Sequence, residues 1–242
     1  MTADSVLDIT GLEKAYGGLR PMRLQSLRVL PGTLVAVMGL DAPAAEMFTN
    51  LATGAILPER GEVRLFGRST AAVTDPDDWL KLLDRVGILT DRAVLLDSYT
   101  VAQNLAMPLT LDVDPLSSEL ARTTAELAGE VGLDGAVLEQ PVATLGTAGR
   151  LRVRFGRALA LSPALLLMEH PTASLEPGEA GAFARDVRRV IRSRELAAVA
   201  LTADARFAEA ATDDVRELRP ADGVLQPRAR AWGRVRRLFS PD

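Results

Sequence analysis

A short apolar run, Val35-Ala36-Val37-Met38, leads directly into Gly39, and Glu46 to Ala52 beyond it reads as the start of a helix. This strand, loop and helix frame constrains the chain more than any other stretch, because an unbroken apolar strand has the form of a buried parallel strand with cover on both faces. The connecting loop is Gly39-Leu40-Asp41-Ala42-Pro43-Ala44-Ala45-Glu46. Its frame is that of G-x-x-x-x-G-K-[ST], in which glycines let backbone N–H groups surround phosphates, the lysine reaches the terminal phosphates and the hydroxyl holds magnesium. Only the first glycine is kept. Ala44 stands where the second glycine belongs, Ala45 where the lysine belongs and Glu46 where the Ser or Thr belongs. Asp41 and Glu46 turn two carboxylates toward an incoming polyanion. Because the first N–H groups of a helix form an anion site, Glu46 with Asp41 is expected to fill the place of a phosphate. The competing reading makes Glu46 an ordinary acidic residue of a helix's first turn.

The rest of the chain alternates strands and helices. Val6 to Leu12, Leu24 to Leu30, Leu34 to Met38 and Glu62 to Phe66 read as strands, with turns at Gly17-Gly18, Pro31-Gly32 and Arg60-Gly61. Val86 to Leu89, Leu165 to Met168 and Ala197 to Leu201 are further strands. Ser117 to Val131 is expected to be helical, with Leu120, Thr124, Leu127, Ala128 and Val131 on one face, and Gly178 to Arg194 forms another helix. Strands in alternation with helices imply a doubly wound sheet around the glycine-led loop.

A second stretch carries a family resemblance. Arg157-Ala158-Leu159, Pro163-Ala164-Leu165-Leu166-Leu167-Met168-Glu169-His170-Pro171-Thr172 and Leu175-Glu176-Pro177 resemble the segment of ATP-binding cassette (ABC) ATPases that reads R-A-L-x-x-x-P-x-L-L-L-x-D-E-P-T-x-x-L-D-P. The resemblance continues at Lys14-Ala15-Tyr16-Gly17-Gly18, Gly61 to Gly67, Val86 to Leu89, Tyr99 to Leu105, Leu201 to Asp204 and Ala211 to Val215. These matches keep the family's order from about Leu7 to Leu225. They imply an α/β, P-loop NTPase-like fold: a doubly wound, mostly parallel sheet, an antiparallel β subdomain and an inserted helical lobe. One domain over 1–225 is expected, with the lobe at about 95–149 and a basic tail at 226–242.

The resemblance also implies where function would sit. Glu169 falls opposite the family's magnesium-side aspartate, His170 opposite its catalytic glutamate, Asp91 opposite its Q-loop glutamine and Ala203 opposite its switch histidine. Leu145-Gly146-Thr147-Ala148-Gly149 aligns with the signature L-S-G-G-Q. Tyr16 sits where the family stacks a ring on adenine, and Tyr16, Gly39, Asp41, Ala45 and Glu46 are the nucleotide positions. Phosphoryl transfer is catalysed by positioning and electrostatic stabilisation, so losing the lysine, the glutamate and the signature together removes most of what the reaction needs. The leading expectation is a catalytically inactive ABC-type subunit that serves as a structural or docking component of a transporter-like membrane complex, with no cofactor and no metal. Two alternatives stand beside it: a weakly active ATPase using Glu169 and His170, whose imidazole titrates near neutral pH, and a nucleotide-sensing module held by Tyr16. ATP and magnesium enter only with those alternatives. The implied partners are a membrane permease subunit and a second cassette, identical or not. Leu95, Leu96 and Leu105 are candidates to line the groove that receives the permease.

Composition agrees with this. At 242 residues and 48% hydrophobic the chain can bury a full core. It has no cysteine, so no disulfide or thiolate chemistry is available. Its net charge of -4 gives no overall attraction to nucleic acid. The first residues show no export signal and no apolar run is long enough to span a bilayer, so a cytoplasmic location, peripheral to the inner face of the membrane, is expected. Arg228 to Phe239 interleaves arginines with Trp232, Val235, Leu238 and Phe239, a pattern open to membrane contact or to a solvated terminus.

Overall fold

In a computed structural model, residues 5–17 and 20–228 are described, and most of the basic tail lies outside them. Strand β1 (Leu7–Lys14) pairs antiparallel with β2 (Met22–Val29) and with β4 (Arg60–Leu65), and β4 pairs with the short β5 (Arg68–Ser69). In β2 buried and exposed residues alternate, as expected of an antiparallel sheet with one dry face. Arg60-Gly61 is not a turn but the beginning of β4, where the pairing shifts register against Thr10 to Glu13.

The second sheet has the order β10-β9-β3-β8-β7-β6. Its strands are β3 (Leu34–Met38), β6 (Val86–Leu89), β7 (Leu165–Glu169), β8 (Ala197–Leu201), β9 (Asp214–Arg219) and β10 (Val224–Pro227). All neighbours are parallel except β10, which runs antiparallel to β9 and carries ordered sheet past residue 225. Every residue of β3, β7 and β8 is buried, because both faces are covered.

The strand period of two sends alternate residues into two cores. Leu165, Leu167, Ala197, Val199 and Leu201 join the antiparallel subdomain and helix α1 (Ala42–Ala52), with Phe48 and Leu51 contributed by α1. Leu166, Met168, Ala198 and Ala200 face a cluster built from α3 (Val101–Ala106), α4 (Ser118–Glu130), α5 (Thr147–Leu159), α6 (Pro177–Ser193) and α7 (Ala205–Ala211). Helix α2 (Pro76–Leu83) lies against β6. In α4, Thr124, Leu127, Ala128 and Val131 are buried and Leu120 is half-buried, as the helical spacing predicts.

The helical lobe and the sheet share one core. Phe155 of α5 meets Phe183 of α6 edge-on with centroids 5.6 Å apart, and Phe183 stacks on Phe207 of α7 at 6.1 Å. Such aromatic pairs add about 0.5–1.5 kcal/mol beyond the area they bury. Arg194, at the end of α6, grips Glu130 of α4 with a fork of 2.6 and 2.5 Å and donates to the Leu159 carbonyl of α5 at 3.0 Å.

Candidate functional site

The glycine-led loop is shorter than the sequence pattern predicts. Helix α1 begins at Ala42, four residues before Glu46, since Pro43 is preorganised for a first turn and Asp41 caps it. The Asp41 carboxylate accepts the Ala44 N–H at 2.9 Å, and the Asp41 carbonyl accepts the Ala45 N–H at 2.8 Å. Gly39 has φ of +93°, and a Cβ there would stand 2.9 Å from the Leu218 carbonyl oxygen, so the turn out of β3 requires glycine. Ala45, at the lysine position, is fully buried within the core around Phe48 and Leu51.

Glu46 therefore corrects the expectation placed on it. It lies in the second turn of α1, away from the amides that form the anion site, and Asp41 alone caps them. The Glu46 carboxylate is instead paired with Arg92 Nη1. Nη2 of the same guanidinium reaches both oxygens of Glu169 at 2.7 and 3.0 Å. The Glu169 side chain is only 7% exposed, so its charge needs this partner. Arg92 is the residue that sequence reasoning missed. In the chain it follows Asp91 in a polar stretch after β6 and reads as a solvated loop.

His170 follows Glu169 at the end of β7 with φ of +42°, a region rarely used by residues other than glycine, and its N–H donates to Leu201 at 2.8 Å. Its Nε2 is buried and has no hydrogen-bond partner among the described residues. Beside it is a cavity of about 20 Å³ lined by Leu89, Asp91, Arg154 and Glu169. Asp91 is exposed and sits near Arg154, whose guanidinium pKa is lowered by burial and by neighbouring Arg150. Ala203 is exposed at the end of β8, and the next residue, Asp204, accepts from Thr172 Oγ1 at 2.9 Å and caps α7. Gly146 is the N-cap of α5, and Thr147, Ala148 and Gly149 form its first turn. Among the described residues no group of three or more His, Cys, Asp or Glu side chains is placed to hold a metal. Magnesium does not fit between Glu46 and Glu169, because a guanidinium already bridges them.

A larger hollow of about 790 Å³ borders Gly39 and is lined by Tyr16, Arg20, Met22, Asp41, Pro43 and Leu218. Tyr16 packs part of its ring on the core beneath. Burial, and then the Asp41 charge, raise the Tyr16 pKa above its ordinary value.

Of the groove candidates, Leu95 and Leu105 are core residues at 5% and 0% exposure. Leu96 is half-buried, with its N–H and carbonyl both held by the Asn104 side chain at 2.9 and 3.0 Å. The apolar side chains exposed in this region are Val94, Tyr99 and Leu111. Arg154 and Arg157 of α5 donate to the carbonyls of Ala93 and Val94 at 3.0 and 2.6 Å and fix the segment that carries them.

No family model matches the chain. It is 31% identical to the lipoprotein-releasing system ATP-binding protein LolD 2 of Caulobacter vibrioides over 204 residues, 83% of this chain and 89% of that protein. The chain belongs to the ABC transporter ATPase family. A second relative, LolD of Maricaulis maris, is 29% identical over 93% of this cassette and 98% of its own length. The methionine import ATP-binding protein MetN of Mesorhizobium japonicum is 31% identical over 72% of the cassette, which spans about half, 47%, of that longer protein. Among solved structures, the dimeric post-hydrolysis state of the ATP-binding cassette MJ0796, bound to ADP and Pi, superposes with a TM-score of 0.74 at 20% identity, over 92% of this chain and 99% of that one. CbiO1 of Clostridium perfringens, part of an ABC transporter complex, gives 0.77 at 18% identity over 93% and 88%. The expected α/β fold, with its antiparallel subdomain and parallel sheet, is the ABC ATPase fold of these neighbours. No helix among the described residues is long and apolar enough to cross a membrane.

Proposed function

We propose that this cassette does not hydrolyse ATP and works as a structural or docking subunit of a transporter-like complex, held at the cytoplasmic face of the membrane by a permease subunit. The observation that carries this reading is Ala45, which puts a fully buried methyl group where a phosphate-gripping lysine would reach out, next to an Asp41 carboxylate already bonded to the Ala44 amide. A triphosphate approaching this loop meets a carboxylate and finds no cation from α1. His170 and Ala203 at the water-orienting and switch positions add to the loss. In the family each ATP site joins one subunit's phosphate loop to the other's signature. A homodimer would then have two altered sites, and a heterodimer would still offer the partner Leu145-Gly146-Thr147-Ala148-Gly149.

The test is phosphate release by the purified cassette with magnesium and ATP, alone and together with its co-purified permease. Turnover at the level of a boiled control is expected. Release above that level, abolished by His170→Ala, would favour the weakly active ATPase.

The hollow beside Tyr16 favours a second reading, a module that holds a nucleotide by its base without turning it over. Calorimetry separates the two. A silent scaffold binds magnesium-ATP more weakly than about 1 mM, or about 4 kcal/mol of binding free energy, whereas tighter binding lost on Tyr16→Ala supports the module.

A further inference from the structure

We infer that Arg92 is a resident cation: its guanidinium occupies the position between Glu46 and Glu169 where a divalent ion would have to stand, so the cassette closes its own metal locus. The two carboxylates come from different elements, Glu46 from α1 and Glu169 from the end of β7, and Arg92 from the segment after β6. One nitrogen bonds both Glu169 oxygens, at 2.7 and 3.0 Å, and the other pairs with Glu46. A planar guanidinium is always charged and presents its N–H donors in a fixed fork, so it can pair with two carboxylates at once while its single charge offsets one of theirs. Magnesium needs oxygen ligands close to octahedral at about 2.1 Å and keeps several of its waters. With Glu169 already accepting two hydrogen bonds, Glu46 ion-paired to the same guanidinium, and a positive charge between them, that coordination cannot form. The backbone directly after Arg92 is fixed as well, because the carbonyls of Ala93 and Val94 are held by Arg154 and Arg157. The clamp therefore joins the phosphate-loop helix to the sheet through one side chain, with no nucleotide required, and α5 holds the backbone that follows it.

This assignment does not depend on whether the cassette is silent or holds a nucleotide, and its test uses Mn²⁺ alone. Titrating Mn²⁺ against the full chain and following the free-ion paramagnetic resonance signal, we expect little binding by the native protein. Arg92→Gln should gain a single Mn²⁺ site at least about tenfold tighter than any in the native chain, and Arg92→Gln with Glu169→Gln should lose it again. A merely structural arginine would lower the melting temperature without creating that site. A folded Arg92→Gln variant with no gain in Mn²⁺ binding overturns the assignment, as does native-chain binding that Glu169→Gln abolishes. If Arg92→Gln alone fails to fold, the double variant decides: it leaves no bare buried carboxylate and is expected to fold, and its collapse would mean that Arg92 does something other than balance Glu169.

Discussion

Asp186 of α6 accepts Nη1 of Arg152 at 2.7 Å on one side and Nη2 of Arg189 at 2.9 Å on the other. The same Arg152 nitrogen donates to the Val131 carbonyl at 2.5 Å, so one guanidinium ties the end of α4, the body of α5 and α6 together. Here the lobe is fastened to the sheet side by charge as well as by the phenylalanine stack.

This joint has a pH signature. Burial acts to raise the Asp186 pKa, but the hydrogen bonds and charges of Arg189 and Arg152 outweigh it and hold the carboxyl below its ordinary value. A depressed carboxyl stabilises the fold above its unfolded pKa of about 3.9 and loses that contribution as pH falls through its folded value. Asp186→Asn should therefore cost about 1–2 kcal/mol at pH 7, and the gap to the native chain should close as pH falls below about 4. Denaturant titrations across that range check it; a gap independent of pH would mean the carboxylate's charge is not what stabilises.

Gly132 lies beneath the same joint. Its φ is +77°, and a Cβ would sit 2.5 Å from Arg152 Nη1 and 3.2 Å from Asp186 Oδ2. Gly132→Ala should lose about 2 kcal/mol from the left-handed backbone and the displaced arginine together. For a domain of this size that is a fall in melting temperature of about 4–8 °C. In a double-mutant cycle with Asp186→Asn the two losses should be less than additive, because both disturb Arg152.

Tyr16 reports on the loop. Since burial and Asp41 both raise its pKa, the phenol stays neutral past its ordinary value, and the fold loses stability as pH rises above about 10. In a Tyr99→Phe background, which leaves Tyr16 as the sole tyrosine, Asp41→Asn should move the phenolate absorbance titration to lower pH while keeping a side-chain oxygen for the helix cap. An unmoved titration would leave burial as the whole cause.

Docking can be separated from packing at Leu96 and Val94. Leu96→Arg and Val94→Arg should each abolish co-purification with a permease while the melt stays within a few degrees, because Leu96 is half-buried and Val94 is 72% exposed. Leu105→Arg, at a fully buried position, should unfold the lobe instead. If the permease is retained with Arg at both 94 and 96, the surface that receives it lies elsewhere.

Much of this protein could be read directly from its residues. The limits of β3 and β8 match their apolar runs, because a strand covered on both faces must be apolar throughout and its ends are marked by where that stops. The order of motifs along the chain identified the family, and the residues at its catalytic positions were legible as letters. What those letters do was decided only in three dimensions. Helix α1 starts at Ala42 because Asp41 and Pro43 can form its first turn, which carries Glu46 out of the anion site. Leu95 and Leu105 belong to the core because the lobe folds back on the sheet, although their spacing suits a groove equally well. Arg92 and Glu169 are 77 residues apart, and no local periodicity records a contact of that range. Arg92 acquires its role only when parallel strands β6 and β7 bring their ends together beside α1, in a place where a buried carboxylate cannot remain without a cation.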